Sequence, residues 1–147
     1  MTPAPGGQIA SRMKFVMSRD GSVMDSAPQI SVVDDDEGIR LALDGLLRSA
    51  GHSARTFASA EEALADPHIE DSNCVITDLQ MGRIDGLEFA RRLRGRSQAM
   101  PILLMTAYPT ANIERRARET DILFLSKPFE ANEMLHVVHQ MLQTGGR

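Results

Sequence analysis

The sequence predicts an α/β fold, a doubly wound sheet of five parallel strands, and three observations carry that expectation. Short apolar runs, rich in β-branched residues, recur between stretches whose apolar residues fall at helical spacing. The two kinds of segment alternate in the order strand, then helix, five times along the chain. The clearest strand segments are largely apolar rather than apolar only on alternate residues, as expected for a parallel sheet covered by helices on both faces.

The first unit pairs a strand at residues 30–33 with a helix at 37–50, whose Ile39, Leu43, Leu46, Leu47 and Ala50 share a face and which Gly51 ends. Residues 53–57 form a weaker strand, and Ser59 three residues before Glu62 gives a capping box for a helix of roughly two turns. Residues 74–77 make a clear strand delivered into Asp78, and a helix with Leu87, Phe89, Ala90 and Leu93 opens at Gly86. Pro101 starts the strand at 102–105, and a polar helix at 111–119 follows it. A strand at 122–125 and a helix at 131–143, with Leu135, Val138 and Leu142 at core spacing, close the series.

Residues 1–28 read differently: Pro3, Pro5, Gly6, Gly7, Gly21 and Pro28 punctuate them and no period persists. They are expected to be a flexible leader, in part of vector or upstream-start origin, ahead of a globular domain at 29–144 and a short tail at 145–147. The 147-residue length suits one domain, and the net charge of -4 argues against a broad nucleic-acid surface. No apolar run approaches the roughly 20 residues of a membrane span, so a cytoplasmic protein is expected. Cys74, the single cysteine, lies in an apolar strand and reads as a buried hydrophobe. His136 and His139 lie three apart on the last helix without a third metal ligand, and neither His52 nor His68 suggests a site.

In a doubly wound sheet ligands bind beyond the carboxyl ends of the strands, where strand order reverses. By this reading Asp34-Asp35-Asp36, Asp78, Thr106 and Ser126-Lys127-Pro128 stand at four such ends. Several carboxylates side by side are costly unless a cation neutralises them. Mg²⁺ fits, as a hard ion that takes oxygen ligands and is held by one or two carboxylates with waters and phosphate oxygens. A carboxylate there can attack phosphorus to form an aspartyl phosphate, and a nearby Lys and hydroxyl can stabilise the transferred charge. Each residue alone is weakly informative, but their joint order is specific.

The pieces SVVDDDEGIR, VITDLQMGRIDGLEF, PILLMTA and FLSKPF resemble the response-regulator receiver domain of the CheY-like superfamily, in wording closest to FixJ-type regulators. The resemblance implies a flavodoxin-like (βα)5 receiver fold and a two-component phosphorylation switch. It makes Asp78 the phosphoacceptor, Asp34, Asp35, Asp78 and the Gln80 backbone carbonyl the Mg²⁺ ligands, and Thr106 and Lys127 the groups that meet the phosphoryl oxygens. Thr106, Phe124 and Pro128 become switch positions, with Lys127-Pro128 the peptide typically cis in the family. Asp36, one past the acidic pair, is expected to begin the first helix.

Two departures from the family pattern stand out. Gly82 occupies a position usually held by proline, and Glu119-Thr120-Asp121 replaces Ala-Gly-Ala at the end of the fourth helix. Threonine disfavours positive φ, so that helix is expected to end differently. Partners implied by the resemblance are a sensor histidine kinase or phosphotransfer protein, and a downstream target or output domain meeting the face of the fourth helix, fifth strand and fifth helix. A homodimer is a further expectation; membrane association and direct nucleic-acid binding are not expected. The protein is read as a phosphoacceptor that catalyses its own Mg²⁺-dependent phosphorylation and dephosphorylation, without turnover of an external substrate. A single-domain regulator is favoured, because the chain stops soon after the last helix. The alternative is the receiver portion of a DNA-binding transcriptional regulator. A small aspartate-nucleophile phosphatase is disfavoured, since Gln80 stands where such enzymes often place a second aspartate.

Overall fold

The computed structural model describes residues 15–17, 23–25 and 27–144. It contains a short antiparallel pair, β1 (Phe15–Met17) and β2 (Val23–Asp25), within the stretch where the sequence suggests no regular element. Apart from residues 27–28 the rest of the expected leader, and the tail at 145–147, lie outside the described residues.

Five β-then-α units follow: β3 (Gln29–Val33) and α1 (Glu37–Ser49), β4 (Ser53–Phe57) and α2 (Ala60–Ala65), β5 (Cys74–Asp78) and α3 (Gly86–Arg96), β6 (Ile102–Thr106) and α4 (Ala111–Glu119), β7 (Leu123–Ser126) and α5 (Ala131–Thr144). A single 3₁₀ turn at Ile69–Asp71 leads into β5. The five strands form one parallel sheet in the order β4-β3-β5-β6-β7. This is the doubly wound α/β fold that the strand and helix periodicities predict.

Side chains alternate across the sheet with a period of two. Ile30, Val32, Cys74, Ile76, Leu103 and Met105 face α1 and α5, where Leu43, Leu47, Met134, Val138 and Met141 meet them. Val33, Val75, Ile102 and Leu104 face the other way, against Ala60 and Ala63 of α2, Phe89, Ala90 and Leu93 of α3, and Ala117 of α4. Residues 75–77, 102–105 and 32–33 are all fully or almost fully buried, so the sheet centre is dry on both faces. Among the described residues no helix is long and apolar enough to cross a membrane.

Caps fix where the helices begin. Asp36 accepts from the Ile39 N–H at 3.1 Å, Ser59 from Glu62 at 3.0 Å, Asp85 from Glu88 at 2.8 Å and Thr110 from Ile113 at 3.1 Å. The fourth helix does end unusually. Thr120 keeps negative φ, and the left-handed residue is Asp121, at φ 56°. The Ile122 N–H then donates to Ala117 O at 2.9 Å and the Asp121 N–H to Arg118 O at 3.1 Å, the paired bonds of a Schellman motif. The Arg94 guanidinium reaches over from α3 and donates to Thr120 O (3.1 Å), Asp121 O (2.9 Å) and Met100 O (2.8 Å).

His52 stands just before β4 with its Nδ1 buried and unpartnered among the described residues. Burial, and then the charge of nearby His139, hold its imidazole below the ordinary value of 6.5. The unfolded chain therefore takes up this proton more readily than the fold does. Stability due to His52 is present above 6.5 and lost as pH falls through the depressed value. Between about pH 7.5 and pH 5 the urea midpoint should fall further in the wild type than in His52→Gln. Equal falls in the two proteins would exclude this role.

Candidate functional site

Strand order reverses between β3 and β5, because the chain leaves β3 toward β4 on one side and returns to β5 on the other. The carboxyl ends of these adjacent strands carry the acids. Asp34, directly after β3, is 1% exposed, and Asp78, the last residue of β5, is 6% exposed. Asp35 is exposed, and Asp36 serves as the helix cap. Consecutive side chains at the end of an extended strand diverge, so a run of three identical acids separates into three environments. Carboxylate oxygens of Asp34, Asp35 and Asp78 nevertheless lie within 4.8 Å of one another.

Lys127, just past β7, closes the group. Its Nζ lies 2.9 Å from Asp78 Oδ1 and 3.4 Å from Asp34 Oδ2. Burial pulls the Lys127 ammonium down, but the hydrogen bond to Asp78 and the charges of Asp34 and Asp78 outweigh it and hold the group above its usual range. Burial, reinforced by the charge of Asp78, pushes the Asp34 carboxyl up despite the Asp36 N–H bond and Lys127. Three acids served by one lysine leave excess negative charge, and all their ligand atoms are oxygens. That donor set fits a hard divalent cation.

Thr106 ends β6 and is 1% exposed. Its hydroxyl accepts from the Tyr108 N–H at 3.2 Å, and its carbonyl accepts from the Lys127 N–H at 2.8 Å, so the β6 and β7 ends are tied together. Phe124 is half-buried on β7 and packs, with Ile113, against the α2–α4 core. Pro128 is exposed and follows a cis peptide bond. Gln80 is exposed at the start of the loop that returns to α3.

Two residues in the site's support carry no functional reading in the sequence. Gly86 begins α3 directly against the β5 end: a Cβ there would meet Asp78 O at 2.3 Å and Leu104 Cδ1 at 2.8 Å. The Asp-Gly pair before an apolar helix is the only sequence signal for it. Arg40 donates from Nη1 to the Asp34 backbone carbonyl at 2.7 Å. An open cavity of about 1030 Å³, lined by Met100, Ile102, Arg118, Ile122 and Gln140 among others, lies by the opposite ends of β6 and β7. The two buried acids and Lys127 gather at the other ends of the strands, away from that cavity.

Comparison with known proteins agrees with this geometry. The response regulator receiver domain family matches residues 30–139. The chain is 32% identical over 113 residues to the C4-dicarboxylate transport transcriptional regulatory protein DctD of Rhizobium meliloti, covering 76% of this chain and 25% of that protein. It is 32% identical over 122 residues to the response regulator protein TodT of Pseudomonas putida (81% and 53% covered), and 30% identical over 121 residues to the transcriptional regulatory protein FixJ of Bradyrhizobium diazoefficiens (82% and 59%). The chain thus spans about a quarter to three-fifths of these relatives. Among solved structures it is similar to the response regulator StyR, at TM-score 0.73 and 34% identity over 81% of this chain and 61% of that one. It is also similar to the Vibrio cholerae chemotaxis protein CheY4, at TM-score 0.74 and 27% identity over 79% and 99%. A doubly wound sheet with its acids gathered at the switch point, matched from residue 30 to residue 139, places this chain in the response-regulator receiver family of two-component signalling.

Proposed function

We propose that Asp78 accepts a phosphoryl group from a histidine kinase or phosphotransfer protein, and that the resulting charge drives a change of surface read by a downstream partner. The observation that carries this reading is the bridge of Lys127 Nζ between Asp78 and Asp34 inside a group of three acids. A carboxylate oxygen of Asp78 attacks phosphorus, the P–N bond of a phosphohistidine breaks, and the imidazole leaves as the acyl phosphate forms. Asp34, Asp35, Asp78 and the Gln80 backbone carbonyl would hold Mg²⁺, which supplies charge neutralisation for the phosphoryl oxygens. Lys127 meets one of those oxygens. The Thr106 hydroxyl, which already accepts from Tyr108, keeps its own proton to donate to another.

Movement of Thr106 toward the phosphoryl group vacates space into which Phe124 turns, next to Pro128 and the α4–β7–α5 face. This is a two-state population shift biased by local charge. The same face would meet a downstream protein or a second copy of the chain. The protein works in the cytoplasm as a switch, without turnover of an external substrate and without touching nucleic acid itself.

A single-domain regulator is one form of this reading. The other is the receiver part of a DNA-binding transcriptional regulator, favoured by the likeness to the transcriptional regulatory proteins DctD and FixJ and by the fraction of each that the chain spans. Whether the native reading frame runs well beyond residue 147 separates the two. The chemistry is tested with acetyl phosphate, with and without Mg²⁺. The wild type should gain the mass of one phosphoryl group only when Mg²⁺ is present, and Asp78→Asn should gain none. A gain that persists in Asp78→Asn overturns the assignment, and a gain indifferent to Mg²⁺ removes the roles of Asp34 and Asp35.

A further inference from the structure

We infer that Arg40 is a positioning residue for the acidic pair, setting the direction of Asp35 without using up any carboxylate oxygen; this rests on the reading of the acids as a Mg²⁺ site. Its Nη1 donates to the carbonyl oxygen of Asp34 at 2.7 Å. That carbonyl belongs to the peptide unit joining Asp34 to Asp35, so the bond fixes the plane from which the Asp35 side chain departs. Asp34 has further restraints: its N–H donates to Phe57 O at 3.1 Å, and its Oδ1 accepts from the Asp36 N–H at 2.9 Å. Asp35 has none of these. It is exposed, and its carboxylate makes no hydrogen bond or ion pair among the described residues. The orientation of its backbone is therefore the main thing that aims it at Asp34 and Asp78.

The way Arg40 spends its charge separates it from an ordinary ion-pair arginine. It forms no salt bridge with a described carboxylate, although the carbonyl it holds belongs to a member of the acidic group. A guanidinium bonded to Asp34 or Asp35 would compete with a cation for the same oxygens. One bonded to the carbonyl behind them adds favourable charge and order, and itself occupies none of the carboxylate oxygens. Arg40 can do this because it lies in the first turn of α1, its N–H donating to Asp36 O at 3.1 Å, so helix start and acidic turn form one unit.

The test is titration calorimetry of Mg²⁺ into the full chain as wild type, Arg40→Ala and Arg40→Lys, with melting temperatures in chelator recorded alongside. Outer partners of metal ligands typically change affinity by about 10-fold to 100-fold. Arg40→Ala should bind Mg²⁺ about 10-fold more weakly while its metal-free melting temperature changes little, and Arg40→Lys should recover part of the affinity. Unchanged affinity in Arg40→Ala, with the wild type binding normally, overturns the inference. So does a loss of affinity that only follows a loss of metal-free stability, with Arg40→Lys as poor as Arg40→Ala. If Arg40→Ala does not fold, Arg40→Met takes its place, and wild-type affinity in it overturns the inference. A wild type that binds no Mg²⁺ is a different failure: it removes the metal site itself, and this inference with it.

Discussion

Gly86→Ala should destabilise the fold by about 3 kcal/mol, toward the upper end of the cost of overpacking. Helix propensity alone predicts the opposite sign, since alanine in a helix is favoured over glycine by about 1 kcal/mol. Sterics decide. The added Cβ would sit 2.3 Å from the carbonyl oxygen of Asp78, which is backbone at the end of a buried strand and cannot swing aside like a side-chain tip. Either α3 moves off the sheet, opening a gap around Phe89 and Leu93, or the β5 end moves and takes Asp78 with it. Urea denaturation followed by circular dichroism measures the first cost, and acetyl phosphate uptake measures the second. Gly82→Ala is the control: a Cβ there meets nothing within 4 Å, so its effect should stay within about 0.5 kcal/mol. If the two variants unfold at the same midpoint, the close approach of α3 to Asp78 is wrong.

Lys127→Met keeps most of the aliphatic stem and removes the ammonium that separates Asp34 from Asp78. Breaking a fully buried pair costs about 3–5 kcal/mol. The Lys127 side chain is 20% exposed, so a smaller loss, about 2 kcal/mol in chelator, is expected here. Adding Mg²⁺ should narrow the gap to wild type, because the uncompensated carboxylates now have a cation to neutralise them. Phosphoryl uptake should nonetheless stay low, because no other described side chain bridges Asp78 and Asp34. The stabilising and the chemical roles of one side chain thus come apart. A variant as stable as wild type in chelator would show that the bridge contributes nothing to the fold.

Much of this was legible in the sequence, for identifiable reasons. The five units, the two-faced burial of β5 and β6 and the gathering of Asp34, Asp78, Thr106 and Lys127 at strand ends all follow from short-range periodicity and strand order. The caps at Asp36 and Ser59 were legible because they obey local spacing. What was hidden depends on contact across the fold. The division of Asp34 from Asp35 into buried and exposed acids needs the direction of the chain as it leaves β3. Gly86 reads only as the start of a helix until α3 is laid against β5. Arg40 reads as one more surface cation on α1 until its guanidinium is seen on a carbonyl. The β1–β2 pair escaped because three-residue strands carry too few side chains for a period to show. At the end of α4 the sequence foretold that threonine would not supply the left-handed turn, but not that Asp121 would take it over.

That turn has a mechanical consequence. Through Arg94, one guanidinium on α3 fastens the tail of α4 and the entry to β6 at three carbonyls. The head of α4 is held more lightly, by the Thr110 cap and the Tyr108 N–H bond to Thr106: residues 107–111 are all exposed, and Tyr108 is 70% exposed. A rod clamped at its tail and loose at its head answers a push by swinging, with the widest arc at the loose end. The loose end is the one beside Thr106, so under the proposed switch a pull there would turn α4 about the Arg94 anchor and not slide the whole helix across the sheet.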